Sequence, residues 1–271
     1  MPNEGVIFIR LLRVYRQLID ATKWLAQDSN IGELRKFQRM RYLALACDYD
    51  GTLATDGWVD EATEAALERL RQSGRRLILV TGRHLEDFLE TFPQVNLFDQ
   101  LVLENGALLY RPATGEEKAL GDRPPEAFVK ALQERGVDPL AIGRVIVATC
   151  HPHETTVLEV IRDLGLELQV ILNKGAVMVL PSGLNKATGL KAALDELGLS
   201  PHNTVGVGDA ENDHALLDLC GCSVAVANAL PMLKERADLV TRGARGAGVV
   251  ELIDRMIASD LSELESQLKQ Q

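Results

Sequence analysis

Aromatic side chains make up only 4% of the 271 residues, too few for a ring-lined surface that would stack bases or grip peptides. Positive charge is also scarce. Lys and Arg total 29 against 39 Asp and Glu, a formal charge of -10, and such a field repels nucleic acid. The four cysteines, at positions 47, 150, 220 and 222, have neither the density nor the spacing of a disulfide scaffold or zinc site. Cys220 and Cys222 read as small buried residues, and a reducing, cytoplasmic compartment is expected. No apolar run reaches the roughly 18 residues that span a bilayer. Arg10, Arg13 and Arg16 interrupt the N-terminal candidate, so neither a membrane span nor a signal peptide is expected. What is present is 46% hydrophobic residues, enough for one large or two modest domains.

Residues 1–41 stand apart, carrying +4 against -14 for the remainder. From Val6 to Leu25 the polar residues Arg10, Arg13, Gln17, Asp20 and Lys23 recur at helical spacing, which predicts an amphipathic helix. It reads as a helix packed on the body or in a homodimer interface, with docking to a partner or a membrane surface through residues 6–25 as the alternative. After it, short apolar runs alternate with helical patterns. Strands are predicted at Leu43–Cys47, Arg76–Val80, Leu101–Glu104, Val205–Val207 and Ser223–Val226, and helices at Asp60–Gln72, Lys186–Leu197 and Asn212–Leu219. That alternation is the signature of a mainly parallel sheet covered by helices on both faces. Between Arg111 and Pro181 the rhythm changes, and a smaller α/β domain is expected there as an insertion. The expected organisation is an N-terminal helical extension at 1–41, a core from 42–110 and 182–258, an inserted domain at 111–181, and a polar tail at 259–271.

Chemistry-bearing residues cluster where predicted strands end. The first strand runs into Asp48-Tyr49-Asp50-Gly51-Thr52, placing two carboxylates at the carboxyl edge of the sheet, where α/β proteins bind ligands. Adjacent-but-one carboxylates leaving a strand suit two roles, one to attack and one to exchange protons. The second strand ends in Thr81-Gly82-Arg83, a hydroxyl and backbone N–H groups able to cradle a phosphate. Gly208-Asp209-Ala210-Glu211-Asn212-Asp213 follows another strand and offers the hard oxygens that Mg²⁺ prefers. Like charges about 4 Å apart repel by about 4 kcal/mol at an effective dielectric near 20, so gathering Asp48, Asp50, Asp209 and Asp213 implies a divalent cation. Lys186, where the chain leaves the insertion, is the candidate point charge for nucleophile and phosphate. Arg83, His151 and His153, with Asn173 and Lys174, are candidates for substrate contact from the crevice edge and the insertion.

Taken in order, Asp48-x-Asp50-Gly51-Thr52, Thr81-Gly82-Arg83, Lys186 and Gly208-Asp209-x-x-Asn212-Asp213 resemble the four motifs of the haloacid dehalogenase superfamily. More narrowly, the chain is similar to the Cof-like phosphatases and their sugar-phosphate and phosphoglycolate phosphatase relatives, with further echoes at Glu104-Asn105-Gly106-Ala107, Asn228-Ala229 and Ala237-Asp238. The resemblance implies a Rossmann-like core with a C2-type α/β cap inserted between the second and third motifs. It also implies a Mg²⁺-dependent phosphatase of a small phosphate ester. Asp48 would be the nucleophile and Asp50 the acid and base, the latter starting protonated. Mg²⁺ would be held by Asp48, the Asp50 carbonyl, Asp209 and Asp213; phosphate would be held by Thr81, Gly82, Lys186 and Asn212. The alternatives are a phosphomutase or phosphotransferase of the same superfamily, and a non-catalytic phosphate-sensing scaffold that docks through the N-terminal helix.

Overall fold

The computed structural model describes residues 40–264. The amphipathic segment at 6–25 lies outside them, as does the tail beyond Leu264. Eight strands form one sheet in the order β12-β11-β10-β1-β2-β3-β4-β5. Six are parallel: β1 (Ala44–Asp48), β2 (Arg76–Val80), β3 (Gln100–Leu103), β10 (Thr204–Gly208), β11 (Cys222–Ala225) and β12 (Leu239–Val240). The last two, β4 (Leu108–Arg111) and β5 (Glu116–Ala119), run antiparallel at the edge.

Alternation along the central strands builds two cores. Leu45 and Cys47 of β1 face one side with Leu77 and Leu79, beneath helices α1 (Glu61–Gln72) and α8 (Arg245–Ser259). Ala44 and Ala46 face the other with Ile78, Val80, Leu190 and Leu194, beneath α5 (Lys186–Leu197) and α6 (His214–Leu219). Two faces buried at once is why these strands read as nearly unbroken apolar runs. The helices start where their caps require. Asp60 accepts from the Thr63 N–H, and Asn185 forms a capping box with Thr188 that makes Lys186 the first residue of α5.

The inserted domain is a four-stranded antiparallel sheet, ordered β6 (Ala141–Ile142), β7 (Val147–Cys150), β9 (Ala176–Pro181), β8 (Leu168–Asn173). Helices α3 (Glu126–Glu134) and α4 (Glu154–Asp163) cover one face through Phe128, Leu132, Val157 and Val160. Two sequence expectations need correction. The stretch after Arg111, read as the entry to the insertion, is a hairpin that keeps the main sheet going to Ala119. Its partner strand Glu116–Ala119 is exposed at all four positions and has no apolar periodicity to announce it. The polar tail expected from Ser259 instead begins by burying Leu261 and Leu264 in the core. Among the described residues no helix is long and apolar enough to cross a membrane, and all four cysteines are free thiols.

Candidate active site

Strand order reverses between β1 and β10, opening a crevice beyond their carboxyl ends. Register sets the motifs level. Cys47 pairs with Val207 and Asp48 with Val80, so Asp48, Asp209 and Thr81 all emerge at the same edge. Gly51 makes the close approach possible: its φ is +91°, and a Cβ there would lie 2.5 Å from Asp209 Oδ2. Gly106 serves α5 in the same way, since a Cβ would lie 1.9 Å from the Asn185 carbonyl oxygen. Without that contact α5 could not bring Lys186 down to the strand ends.

At the floor of the crevice Lys186 Nζ donates to Asp48 Oδ1 at 2.6 Å and to Asp213 Oδ1 at 2.7 Å, with all three side chains buried. The other oxygen of Asp213 accepts the backbone N–H groups of Asp209 and Ala210, both at 2.9 Å, and so fixes the loop that carries Asp209. Burial, reinforced by Asp213 and opposed by Lys186, pushes the Asp48 carboxyl up to about 7. Burial likewise raises Asp209, against the pull of Lys174. For Lys186 burial works downward, but Asp213 and Asp48 overcome it and hold the ammonium well above its ordinary range.

Asp48, Asp209 and Asp213 each offer an oxygen within 4.8 Å of the others. A second cation approaches from the insertion: Lys174 Nζ donates to the Asp50 carbonyl at 2.8 Å and to Asp209 at 2.8 and 3.1 Å. Thr52 Oγ1 and Asn228 Nδ2 also reach Asp209, each at 3.4 Å. A spot bounded by carboxylate and carbonyl oxygens that already draws an ammonium fits the hard-oxygen preference of Mg²⁺.

The other expected site residues make contacts outside this acid group. Asp50 does not join the acid group; its part-exposed carboxylate takes both arms of Arg83, Nε and Nη2 at 2.8 Å each. Arg83 is further held by Asp87 and Thr91 and lies over the Tyr49 ring, so its guanidinium is fully engaged. Thr81 is buried and its hydroxyl accepts the Arg83 N–H. Gly82 lies under Met178 of the insertion, 3.4 Å from its sulfur were a Cβ present. Asn212 donates to Asn105 at 2.9 Å, leaving Asn105 Nδ2 and Asn212 Oδ1 buried without partners. His151 is exposed and His153 half-buried, and they bond within the insertion, to Glu154 and to the Asp138 carbonyl.

Three residues matter more than sequence reasoning gave them. Glu104, buried, accepts the N–H groups of Arg144, Val145 and Ile146 at 2.8, 2.8 and 2.9 Å, tying the insertion to the core. Asn105 partners Asn212, and Asn228 holds the Gly51 carbonyl at 2.8 Å. Each lies in a segment noted only as a family echo. A carboxylate satisfied by backbone donors from 40 residues away leaves no local pattern.

A family model described as haloacid dehalogenase-like hydrolase matches residues 45–142 and 170–253. The phosphoglycolate phosphatase of Methanothermobacter thermautotrophicus is 32% identical over 225 residues, covering 79% of this chain and 98% of that protein. Phosphoglycolate phosphatase 2 of Saccharolobus solfataricus is 28% identical over 227 residues, covering 82% and 95%. Among solved structures, a haloacid dehalogenase-like hydrolase from Bacteroides thetaiotaomicron superposes with a TM-score of 0.67 at 20% identity, covering 79% of this chain and 99% of that one, a likeness of fold.

Proposed function

Since the chain belongs to the haloacid dehalogenase-like hydrolase family and is an enzyme of its phosphatase class, we propose that it hydrolyses a small phosphorylated metabolite of the phosphoglycolate or sugar-phosphate type, in the cytoplasm, through a phosphoryl group carried on Asp48. The observation that carries this reading is the Asp48 carboxylate at the end of β1, anchored on one oxygen by buried Lys186. One oxygen is held and the other is left to attack.

In this mechanism Asp48 attacks phosphorus in line, and the ester P–O bond breaks as Asp50 gives its proton to the leaving oxygen. Asp50 then takes a proton from water, which attacks the aspartyl-phosphate, releases phosphate and restores Asp48. Arg83 occupies both oxygens of the Asp50 carboxylate, so this pair must open before Asp50 can exchange a proton with the leaving oxygen or with water. Lys186 keeps Asp48 aligned and neutralises charge as it builds on the transferring group. Asp48, Asp209 and the Asp50 carbonyl would hold Mg²⁺, with Asp213 orienting the Asp209 loop. When bound, the ion supplies charge neutralisation at the phosphoryl oxygens. The unpartnered Asn105 amide, beside Asn212, has a donor that a phosphate oxygen would satisfy. The test is phosphate release from a panel of phosphorylated metabolites with Mg²⁺, run beside Asp48→Asn. Release that survives the substitution rejects the assigned nucleophile, and isomerised product without free phosphate rejects hydrolysis in favour of a mutase.

A further inference from the structure

We propose that Lys174 is the residue with which the cap reads the leaving group, and that what it reads is a carboxylate close to the ester oxygen. The inference rests on the phosphatase reading of the crevice and gives that reading a substrate class. Lys174 and Gly175 are the tip of the β8–β9 hairpin: Asn173 pairs with Ala176, and φ is +47° at Lys174 and +84° at Gly175. Two positive φ angles in a two-residue turn call for Asn or Gly at the first position. A lysine there bears a local cost of about 1–2 kcal/mol. The tip is nonetheless fixed, because the Gly175 carbonyl also accepts the His151 N–H at the end of β7, at 2.9 Å. An unfavoured residue in a well-held turn, aimed across at the core, fits a functional constraint better than a folding one.

The partners of Lys174 decide what it is for. Lys186 is committed to Asp48 and Asp213, and Arg83 to Asp50, Asp87 and Thr91. Lys174 alone among these cations spends its bonds on Asp209 and the Asp50 carbonyl, the oxygens at which a divalent ion would sit. Two cations cannot share them without strong repulsion. Once Asp209 is taken, Lys174 is a partly enclosed ammonium without an anion, on the cap side of the crevice, where the leaving group must lie because Asp48 attacks from the floor. A neutral alcohol leaves that charge unmet. A carboxylated alcohol such as glycolate meets it with a charge-assisted hydrogen bond.

The experiment compares 2-phosphoglycolate with its neutral analogue 2-hydroxyethyl phosphate, in the wild-type holoenzyme and in Lys174→Gln and Lys174→Arg. The wild type should favour the carboxylated ester. In Lys174→Gln its kcat/KM on that ester should fall about 30-fold, mainly through KM, with about threefold change or less on the neutral one, the size of a lost charged hydrogen bond. Lys174→Arg should keep part of the preference. As a readout without turnover, calorimetry with Mg²⁺ should show that Asp48→Asn binds 2-phosphoglycolate more weakly when Lys174→Gln is added. Equal losses on both esters, an unchanged ratio, or a wild type that prefers the neutral ester would each overturn the inference. If the wild type releases phosphate from neither ester, the phosphatase reading is what suffers, and the calorimetric comparison still judges Lys174: unchanged binding counts against it.

Discussion

Two lysines reach the same group of acids from opposite sides. Lys186 comes from the core, with 2% of its side chain exposed, between two carboxylates that are buried as well. Lys174 comes from the cap with 46% of its side chain exposed, and shares Asp209 with neighbours of its own. The first is a fixed part of the site, since removing it strands two negative charges in a low-dielectric interior. The second can be exchanged for another cation at modest cost. The core thus builds charge compensation permanently, whereas the cap offers it conditionally.

The largest effect should fall on the nucleophile itself: Asp48→Asn is expected to lower kcat by at least about 10⁴-fold, measured as phosphate release with Mg²⁺. Next comes the contrast between the lysines. Lys186→Met should lose about 3–5 kcal/mol of stability in denaturant unfolding. Lys174→Met should lose about 1 kcal/mol or less. Similar losses for both would erase the distinction between core and cap.

A smaller effect concerns pH. In metal-free protein the Asp48 carboxyl is pushed from 3.8 up to about 7, so between those values the folded state retains a proton that the unfolded chain has released. Stability from this group is therefore lost as pH rises through the window. The melting temperature of the wild type in EDTA, relative to Asp48→Asn, should fall across that range and recover with Mg²⁺. A difference that climbs with pH would reverse the assignment. Smaller still, Lys174→Gln should bind Mg²⁺ about two- to fivefold more tightly in calorimetry, because a competitor worth about 1 kcal/mol or less has been removed. Smallest is His151→Ala, expected to change stability by no more than about 0.5 kcal/mol, since the ring is exposed and bonds only to Glu154 among the described residues.

Legibility in the sequence followed the same division. The strands bearing Asp48, Thr81 and Asp209 are buried on both faces, so their composition declared them, and the motifs at their ends came with positions attached. Lys186 was legible because it opens a predicted helix where the chain leaves the insertion; the capping box of Asn185 and Thr188 fixes that start in the structure. What stayed hidden depended on contacts between distant segments. Nothing local says that Asp50 turns to Arg83, or that Glu104 holds three amides of residues 144–146. The edge strand Glu116–Ala119 is exposed at every position and buries no apolar side chain that would announce it. Lys174 was readable only as a candidate substrate contact in the insertion, and its reach to Asp209 was not. The histidines drew attention by chemical type, and both bond to groups of the insertion itself.

The most direct measurement traps the phosphoryl group on the enzyme. Wild-type protein mixed with Mg²⁺ and labelled 2-phosphoglycolate would be quenched in acid during turnover, reduced with borohydride and mapped by peptide mass spectrometry. The mechanism requires homoserine, the reduction product of the aspartyl-phosphate, at position 48 and nowhere else; steady release of phosphate with residue 48 unreduced, or with the reduced residue at position 50 or 209, would contradict it.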